Sequence, residues 1–230
     1  MLVETILILI LAGLYSLDKT EVAQTMLSQP LVSGTLVGLI LGDLFTGIKI
    51  GVVFQLIWFW VVPIGSALFP DTAVGGVIAS AVAIWLKRSL LSGGSDFAFF
   101  LLILYIIVFS LFSGWSIILQ RKLNFGFIQE AEVFSEKIGF RKIAQLVWLA
   151  VFLSFVRGVV FAGLGILGFY FIFLPLIKSL SFLPIEYFSL TKTVVLGFGC
   201  ACIFDFFGRK ANWVWIGLGG AIGIFIFLIL

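Results

Sequence analysis

Two aspartates stand in an otherwise apolar stretch of this sequence, and their chemistry there calls for an explanation. Asp43 lies in GDLFTG and Asp71 ends SALFPD, with a mainly hydrophobic run between them. Gln55 and Ser66 add an amide and a hydroxyl to the same stretch. Because an unpaired polar group in hydrocarbon costs several kcal/mol, such residues face protein or a water-lined cavity. The pattern therefore predicts a polar binding site inside an apolar environment.

The same residues allow three interpretations. Two carboxylates that share a proton can activate water, as in an intramembrane aspartyl protease. The Leu41-Gly42-Asp43 sequence faintly resembles the Gly-x-Gly-Asp signature of those enzymes, but residue 41 is leucine and no Tyr-Asp partner motif is present. A second interpretation is a site for a neutral polyhydroxylated solute, which amides, hydroxyls, carboxylates and freed backbone groups suit. For Asp71 the third is a helix cap, since aspartate is a preferred N-cap.

The elements around these residues are short and interrupted. Apolar pieces cover residues 31–41 and 48–62, and a turn is expected over residues 42–47. Prolines at positions 63 and 70 prevent one regular helix from continuing between them. Short pieces broken by glycine and proline are typical of discontinuous helices around a transporter's binding site. We therefore assign residues 31–86 as the region of the substrate site, with a glycine seam for helix packing at Gly34, Gly38 and Gly42.

Composition places the whole chain in a membrane. Of 230 residues, 62% are hydrophobic and 11% are charged, and the mean hydropathy is +1.28. Charge-free runs at 98–120, 158–177 and 211–230 approach the ~20 residues that cross a bilayer as a helix. The predicted fold is an all-α integral membrane protein, a multi-span bundle in one domain over residues 1–230. The net charge of +3 sits in short clusters between apolar runs, which indicates topology signals rather than nucleic acid binding.

One arginine and one polar segment stand out in the second half. Arg157 is the single charge in residues 143–177, and a charge at that depth needs a partner or a water path. It either pairs with an acid or with free carbonyls, or it contacts a solute. The same run could bend or break at Gly158, Gly163, Gly165, Gly168 and Pro175. Residues 120–142 are amphipathic and carry five basic residues, which favours an interfacial connector on the cytoplasmic side.

Metal and redox chemistry have little support in the sequence. Histidine, the commonest metal ligand and proton shuttle, does not occur. Cys200 and Cys202 are separated by one alanine in an apolar run, a spacing that matches neither a Cys-x-x-Cys redox pair nor a closed zinc site. We expect no metal, no cofactor and no catalytic residue.

The stretch around the two aspartates resembles a known family, the IIC membrane subunits of mannose-family (mannose/fructose/sorbose) phosphotransferase systems (PTS). Residue types and their spacing both match, and the likeness continues more weakly to Phe152 and Arg157. The matching elements are Pro30, Thr35–Gly38, Leu41–Asp43, Thr46–Ile48, Gly51, Ile64–Gly65, Ala67 and Pro70–Asp71.

The resemblance implies a sugar-translocating permease subunit in the bacterial plasma (inner) membrane. It implies an elevator-like motion, a IID membrane partner of inverted topology, trimers of such pairs, and phosphoryl transfer on histidines of cytoplasmic IIA and IIB components. Gln55 stands where sugar-transporting members often have glutamate, and Pro63 where mannose transporters have asparagine. A non-transporting receptor or regulator on the same fold is the alternative. The expected substrate-binding residues are Gln55, Pro63, Ile64, Gly65, Ser66 and Asp71, with Gly42, Asp43 and Arg157 in support.

Overall fold

The computed structural model describes residues 2–22, 24–59, 61, 69–89, 96–133, 140–179, 191–207, 214 and 217. Within these ranges every regular element is helical, which confirms the predicted all-α class. A π-helical turn at Phe169–Phe173 joins α6 to α7. The helices are α1 Leu2–Thr20, α2 Pro30–Ile40, α3 Leu44–Ile57, α4 Thr72–Ser89, α5 Asp96–Val133, α6 Phe140–Gly168, α7 Leu174–Ser179 and α8 Thr191–Phe207.

Helix α4 is the centre of the bundle. Every residue from Ala73 to Leu86 is buried, and the helix contacts α1, α2, α3, α5 and α6. A helix that is apolar on all sides is stable only when neighbours cover it completely. Charged residues are therefore confined to its ends, with Asp71 before its first turn and Lys87 and Arg88 in its last turn. Two polar clusters form at these ends.

The predicted break between α2 and α3 is present. Gly42 has a φ of 71°, which glycine adopts without steric cost, and the amide of Asp43 donates to the Gly38 carbonyl at 2.9 Å. The Asp43 side chain then accepts from the Thr46 amide at 3.1 Å, so one residue completes the end of α2 and caps the start of α3. The break covers residues 41–43 only. The expected turn over 42–47 was too long, because this cap starts α3 at Leu44.

Glycines allow α2 and α3 to pack backbone against backbone. A Cβ added to Gly47 would lie 2.3 Å from the Gly34 carbonyl oxygen, and one added to Gly51 would lie 2.7 Å from the Pro30 carbonyl oxygen. The predicted seam is correct for Gly34 and Gly38 but wrong for Gly42, which lies in the turn with nothing within 4 Å of such a Cβ. On α3 the seam is formed by Gly47 and Gly51, which face the backbone of α2.

Two helices are long and apolar enough to cross a membrane in the described part of the chain, over Asp96–Gln129 and Arg141–Ile177. Helix α5 passes residue 120 without interruption and ends at Val133. The start of the predicted connector at 120–142 is therefore not a helix boundary, and its interfacial position stays a prediction.

The glycines of α6 do not break it, contrary to expectation. Their role is close packing: a Cβ on Gly158 would lie 2.8 Å from the Ala12 carbonyl oxygen of α1. Gly165 packs in the same way against Ile78 of α4. Pro175 lacks an amide donor, and the π-helical turn before it keeps the helical path continuous into α7.

We predict that Gly47→Ala destabilises the protein by about 1–3 kcal/mol, since the added methyl overlaps a backbone carbonyl that cannot rotate away. Gly126→Ala is the matched control, because a Cβ there meets nothing within 4 Å and alanine in a helix gains about 0.5–1 kcal/mol over glycine. Thermal unfolding of both purified variants in micelles measures the difference. Equal unfolding temperatures would contradict the α2–α3 contact.

Candidate functional site

Asp71 is held in place by its backbone and side chain together. Its amide donates to the Ser110 carbonyl of α5 at 2.8 Å, and its Oδ1 accepts from the Val74 amide at 3.3 Å. The carboxylate thus caps α4, one of the interpretations left open by the sequence. The side chain has no solvent exposure, so its charge depends entirely on protein partners.

Those partners are cations and hydroxyls from three other helices. Arg157 Nη1 lies 2.9 Å from Asp71 Oδ2, and the Ser113 hydroxyl donates to the same oxygen at 2.8 Å. Lys19 Nζ lies 3.9 Å from Oδ1. Of the alternatives for Arg157, the structure shows pairing with an acid. The carboxylate joins α1, α4, α5 and α6 at one point.

Each cation has further hydrogen bonds. Lys19 Nζ donates to the Thr72 hydroxyl at 2.8 Å and to the Pro70 carbonyl at 3.2 Å. Arg157 donates through Nη2 to the Ser16 hydroxyl and through Nη1 to Ser116 Oγ at 3.4 Å. Its Nε is buried without a hydrogen-bond partner among the described residues. Most hydrogen-bond donors of Lys19 and Arg157 therefore have partners, but the Nε donor of Arg157 has none in the described part of the chain.

The sequence interpretation missed Lys19 and the serines. Lys19 lies in a polar run that follows the first apolar residues of the sequence, yet it belongs to the last turn of helix α1, one turn after Ser16. Ser113, Ser116 and Gln120 are spaced i, i+3, i+7 in a run without charges. That spacing places three polar side chains on one helical face and could have indicated a buried polar stripe.

A polar cavity of about 440 Å³ adjoins this cluster, within the ~300–1,000 Å³ range of small-molecule sites. Trp58 and Val61 form an apolar part of the cavity wall. Gln24, which also lines the cavity, has a left-handed backbone conformation with a φ of 50°. That conformation is uncommon for residues other than glycine and recurs at functional sites. The other polar wall residues are Asp18, Lys19, Ser28, Gln29 and Thr72.

Gln55 lies one hydrogen bond away from the cavity. Its Nε2 donates to Gln29 Oε1 at 3.1 Å, and its Oε1 accepts from the Leu31 amide at 3.4 Å. Gln29 is on the cavity wall. Gln55 therefore reaches the cavity through Gln29. Four of the expected site residues, Pro63, Ile64, Gly65 and Ser66, lie outside the described residues.

Asp43 belongs to the second polar cluster, at the other end of α4. Its Oδ2 lies 2.6 Å from Lys87 Nζ, and Arg88 donates to the Leu41 carbonyl. Residues 71 and 87 are separated by about 24 Å along the axis of α4, at a rise of about 1.5 Å per residue. Because Asp43 binds Lys87, the two carboxylates lie at opposite ends of this helix. They cannot share a proton, so the protease interpretation is wrong. Asp43 and Gly42 form the α2–α3 turn and do not reach the cavity around Asp71.

The geometry defines a class: a helical protein with two described helices long and apolar enough to cross a membrane, and with a buried charged cluster where α1, α4, α5 and α6 meet. Comparison with known proteins defines the family. The family described as "PTS system sorbose-specific IIC component" matches residues 2–228. The chain belongs to this family of integral membrane transport components, which confirms the resemblance found around Asp43 and Asp71.

Relatives with curated descriptions match shorter segments. The chain is 42% identical over 60 residues to a putative N-acetylgalactosamine permease IIC component 2 of Escherichia coli K12, covering 26% of this chain and 45% of the relative. It is 40% identical over 82 residues to the fructose permease IIC component of Bacillus subtilis, covering 35% of this chain and 30% of the relative. The mannose-specific EIIC component of E. coli K12 is 38% identical over 65 residues, covering 28% of this chain and 24% of the relative. The aligned segments thus span less than half of these relatives' lengths.

A solved structure described as "Structure of membrane protein" has the same fold. It superposes on this chain with a TM-score of 0.72 at 19% identity, covering 100% of this chain and 96% of that chain. At that identity the likeness establishes the arrangement of helices.

We predict that Arg157→Met destabilises the protein by about 3–5 kcal/mol, because it leaves the Asp71 carboxylate buried with only the more distant Lys19 as a countercharge. Arg141→Met makes the same substitution at an exposed position of the same helix and should change stability by less than about 0.5 kcal/mol. Chemical unfolding in micelles gives both values.

Adding Asp71→Asn to Arg157→Met should recover part of the loss, since it removes a buried carboxylate that has lost its nearest countercharge. If Arg157→Met unfolds like the Arg141→Met control, the ion pair does not stabilise the fold.

Proposed function

We propose that this chain is the sugar-translocating IIC permease subunit of a mannose-type phosphotransferase system. The observation that carries the proposal is the polar cavity between Lys19, Thr72 and Trp58, next to the fully buried Asp71. Family membership over residues 2–228 supports transport as the activity. Midplane sites at the ends of discontinuous helices are typical of transporters.

The substrate class follows from the cavity wall. A neutral sugar presents hydroxyls that donate and accept, together with apolar ring faces. Gln24, Gln29 and Thr72 offer matching polar groups, and the Trp58 ring offers a flat apolar surface. The relatives named for N-acetylgalactosamine, fructose and mannose share this ligand class. We propose a neutral monosaccharide as the substrate.

The sequence-predicted site residues enter this proposal in two groups. The segment that contains Pro63, Ile64, Gly65 and Ser66 joins Val61 to Asp71 in the chain, and Val61 lines the cavity. We propose that these residues, with Gln55 acting through Gln29, complete the sugar site. Asp71 and Arg157 hold the wall in place, and Gly42 and Asp43 shape the α2–α3 turn.

Transport is proposed to be elevator-like, with one packed unit moving against another. Close glycine contacts join α2 to α3, and Gly76 of α4 packs against Ser33 of α2. A glycine seam also joins α1 to α6 through Gly13 and Gly158, and the ion pairs of Asp71 tie both helices to α4. We propose that these helices move together as one unit. Units packed so closely move as rigid bodies more readily than they deform.

The assembly and its location belong to the same proposal. We propose one membrane domain over residues 1–230 in the bacterial inner membrane, with the substrate region at 31–86 and a cytoplasmic-side connector at 120–142. A IID subunit of inverted topology is the membrane partner, in trimers of IIC/IID pairs. Phosphoryl transfer takes place on separate IIA and IIB components, since this chain has no histidine to accept a phosphoryl group.

Uptake by liposomes that contain the chain together with its IID partner tests the proposal. A panel of labelled hexoses and N-acetylhexosamines should include one that enters specifically, and the chain alone should transport none. A receptor on the same fold would bind a sugar in this assay without moving it.

For the sugar that enters these liposomes, we predict that Gln55→Leu weakens binding by about tenfold to a hundredfold, at ~1.4 kcal/mol per decade. The substitution keeps the volume but leaves Gln29 and the Leu31 amide without their partner, at ~1–3 kcal/mol for each unsatisfied group. Gln55→Glu should be milder. Gln145→Leu makes the same change at an exposed position of α6 and should bind like wild type. Calorimetric titration compares them, and wild-type affinity in Gln55→Leu would place the sugar elsewhere.

A further inference from the structure

A second polar cavity lies beside the first and has a different charge. Its volume is about 330 Å³, and it shares Lys19 and Gln24 with the first cavity. The two cavities are therefore neighbours along the end of α1. The remaining polar wall residues of the second cavity are Glu21, Gln120, Arg121 and Asn124.

Positive charge dominates in this second cavity. Lys19 and Arg121 are the cations of its wall, and Glu21 is the only acid there among the described residues. The Glu21 carboxylate is already engaged, because Gln120 Nε2 donates to it at 3.2 Å and the Ser154 hydroxyl donates to its other oxygen. Two cations thus face the cavity against one carboxylate that has its own donors.

Both cations are held beside the same aromatic ring. Lys19 Nζ lies 5.3 Å from the centroid of Phe69, and the Arg121 guanidinium carbon lies 5.2 Å from it. Phe69 itself is buried. Cation–π contacts hold a cation in place without supplying a countercharge. Lys19 also lies 3.9 Å from Asp71, but Arg157 pairs with the same carboxylate at 2.9 Å. Among the described residues, the cavity wall and the Asp71 cluster together hold three cations and two carboxylates, so the field beside the cavity is net positive.

An unused acceptor adds a second requirement for the ligand. Asn124 lines the cavity, and its Oδ1 is buried without a hydrogen-bond partner in the described part of the chain. A buried acceptor left unpaired costs ~1–3 kcal/mol. A ligand that fits this wall therefore carries an anionic group for Lys19 and Arg121 and a hydroxyl that donates to Asn124.

We propose that this cavity binds the phosphoryl group of a phosphorylated sugar, with the sugar ring toward the first cavity. Arginine matches phosphate oxygens with a planar fork of donors, and lysine adds a point charge. Lys19, on the wall of both cavities, contacts the ester where the ring and the phosphate join. The inference rests on the proposed function, because it requires a sugar in the first cavity. A phospholipid headgroup presents the same phosphate chemistry, and the experiment separates the two.

The test is titration of the full chain with its IID partner in phosphatidylcholine nanodiscs. The probes are a transported hexose, its 6-phosphate and inorganic phosphate. Arg121→Gln should weaken binding of the 6-phosphate by about tenfold or more, the loss expected for one charge-assisted hydrogen bond, and leave hexose affinity within about twofold. Lys122→Gln removes the same charge from the adjacent exposed residue and should leave both affinities unchanged.

Several outcomes would overturn the inference. Equal losses of 6-phosphate affinity in Arg121→Gln and Lys122→Gln would indicate general surface charge. Wild type that binds the hexose but not its 6-phosphate would reject the phosphate site and leave the proposed function intact. Loss of 6-phosphate binding when phosphatidylglycerol is added to the nanodiscs would assign the cavity to a lipid headgroup, and binding of inorganic phosphate alone would exclude the sugar ester. Wild type that binds neither sugar would reject the proposed function as well.

Discussion

The buried carboxylate of Asp71 is the constraint on which the rest of this structure depends. An ionised carboxylate without solvent exposure carries a desolvation penalty of several kcal/mol, and only close cations and donors offset it. Arg157 at 2.9 Å, Ser113 at 2.8 Å and Lys19 at 3.9 Å supply that compensation. Because they come from α6, α5 and α1, the carboxylate fixes the mutual positions of three helices around the start of α4.

Charge at the two ends of α4 follows from the burial between them. The helix is covered from Ala73 to Leu86, so polar groups have no place along its length. At its last turn Lys87 and Arg88 bind the α2–α3 turn through Asp43 and the Leu41 carbonyl, where cations also suit the helix dipole. At its first turn the same dipole favours the Asp71 carboxylate. The last turn of α4 holds the turn between α2 and α3 in place, and its first turn contributes Thr72 to the wall of the first polar cavity.

The sequence predicted the features that depend on local chemistry. The break near Gly42 was predictable because glycine and aspartate specify a turn, and the pairing of Arg157 with an acid was one expected outcome for a charge at membrane depth. The family was recognisable from the block between Pro30 and Asp71. What could not be predicted depends on tertiary contacts. The glycines of α6 looked like breaks, whereas Gly158 permits close approach of α1, and Lys19 gains its role only when α1 packs beside α4.

The position of a bound sugar tests the central claim most directly, that the cavity beside the Asp71 cluster is the transport site. An electron cryomicroscopy map of the chain with its partner and a transported sugar would locate the ligand. The account predicts ring density against Trp58, with hydroxyls within hydrogen-bond distance of Thr72 and Gln29. Sugar density elsewhere in the chain, with this cavity filled by side chains, would contradict it.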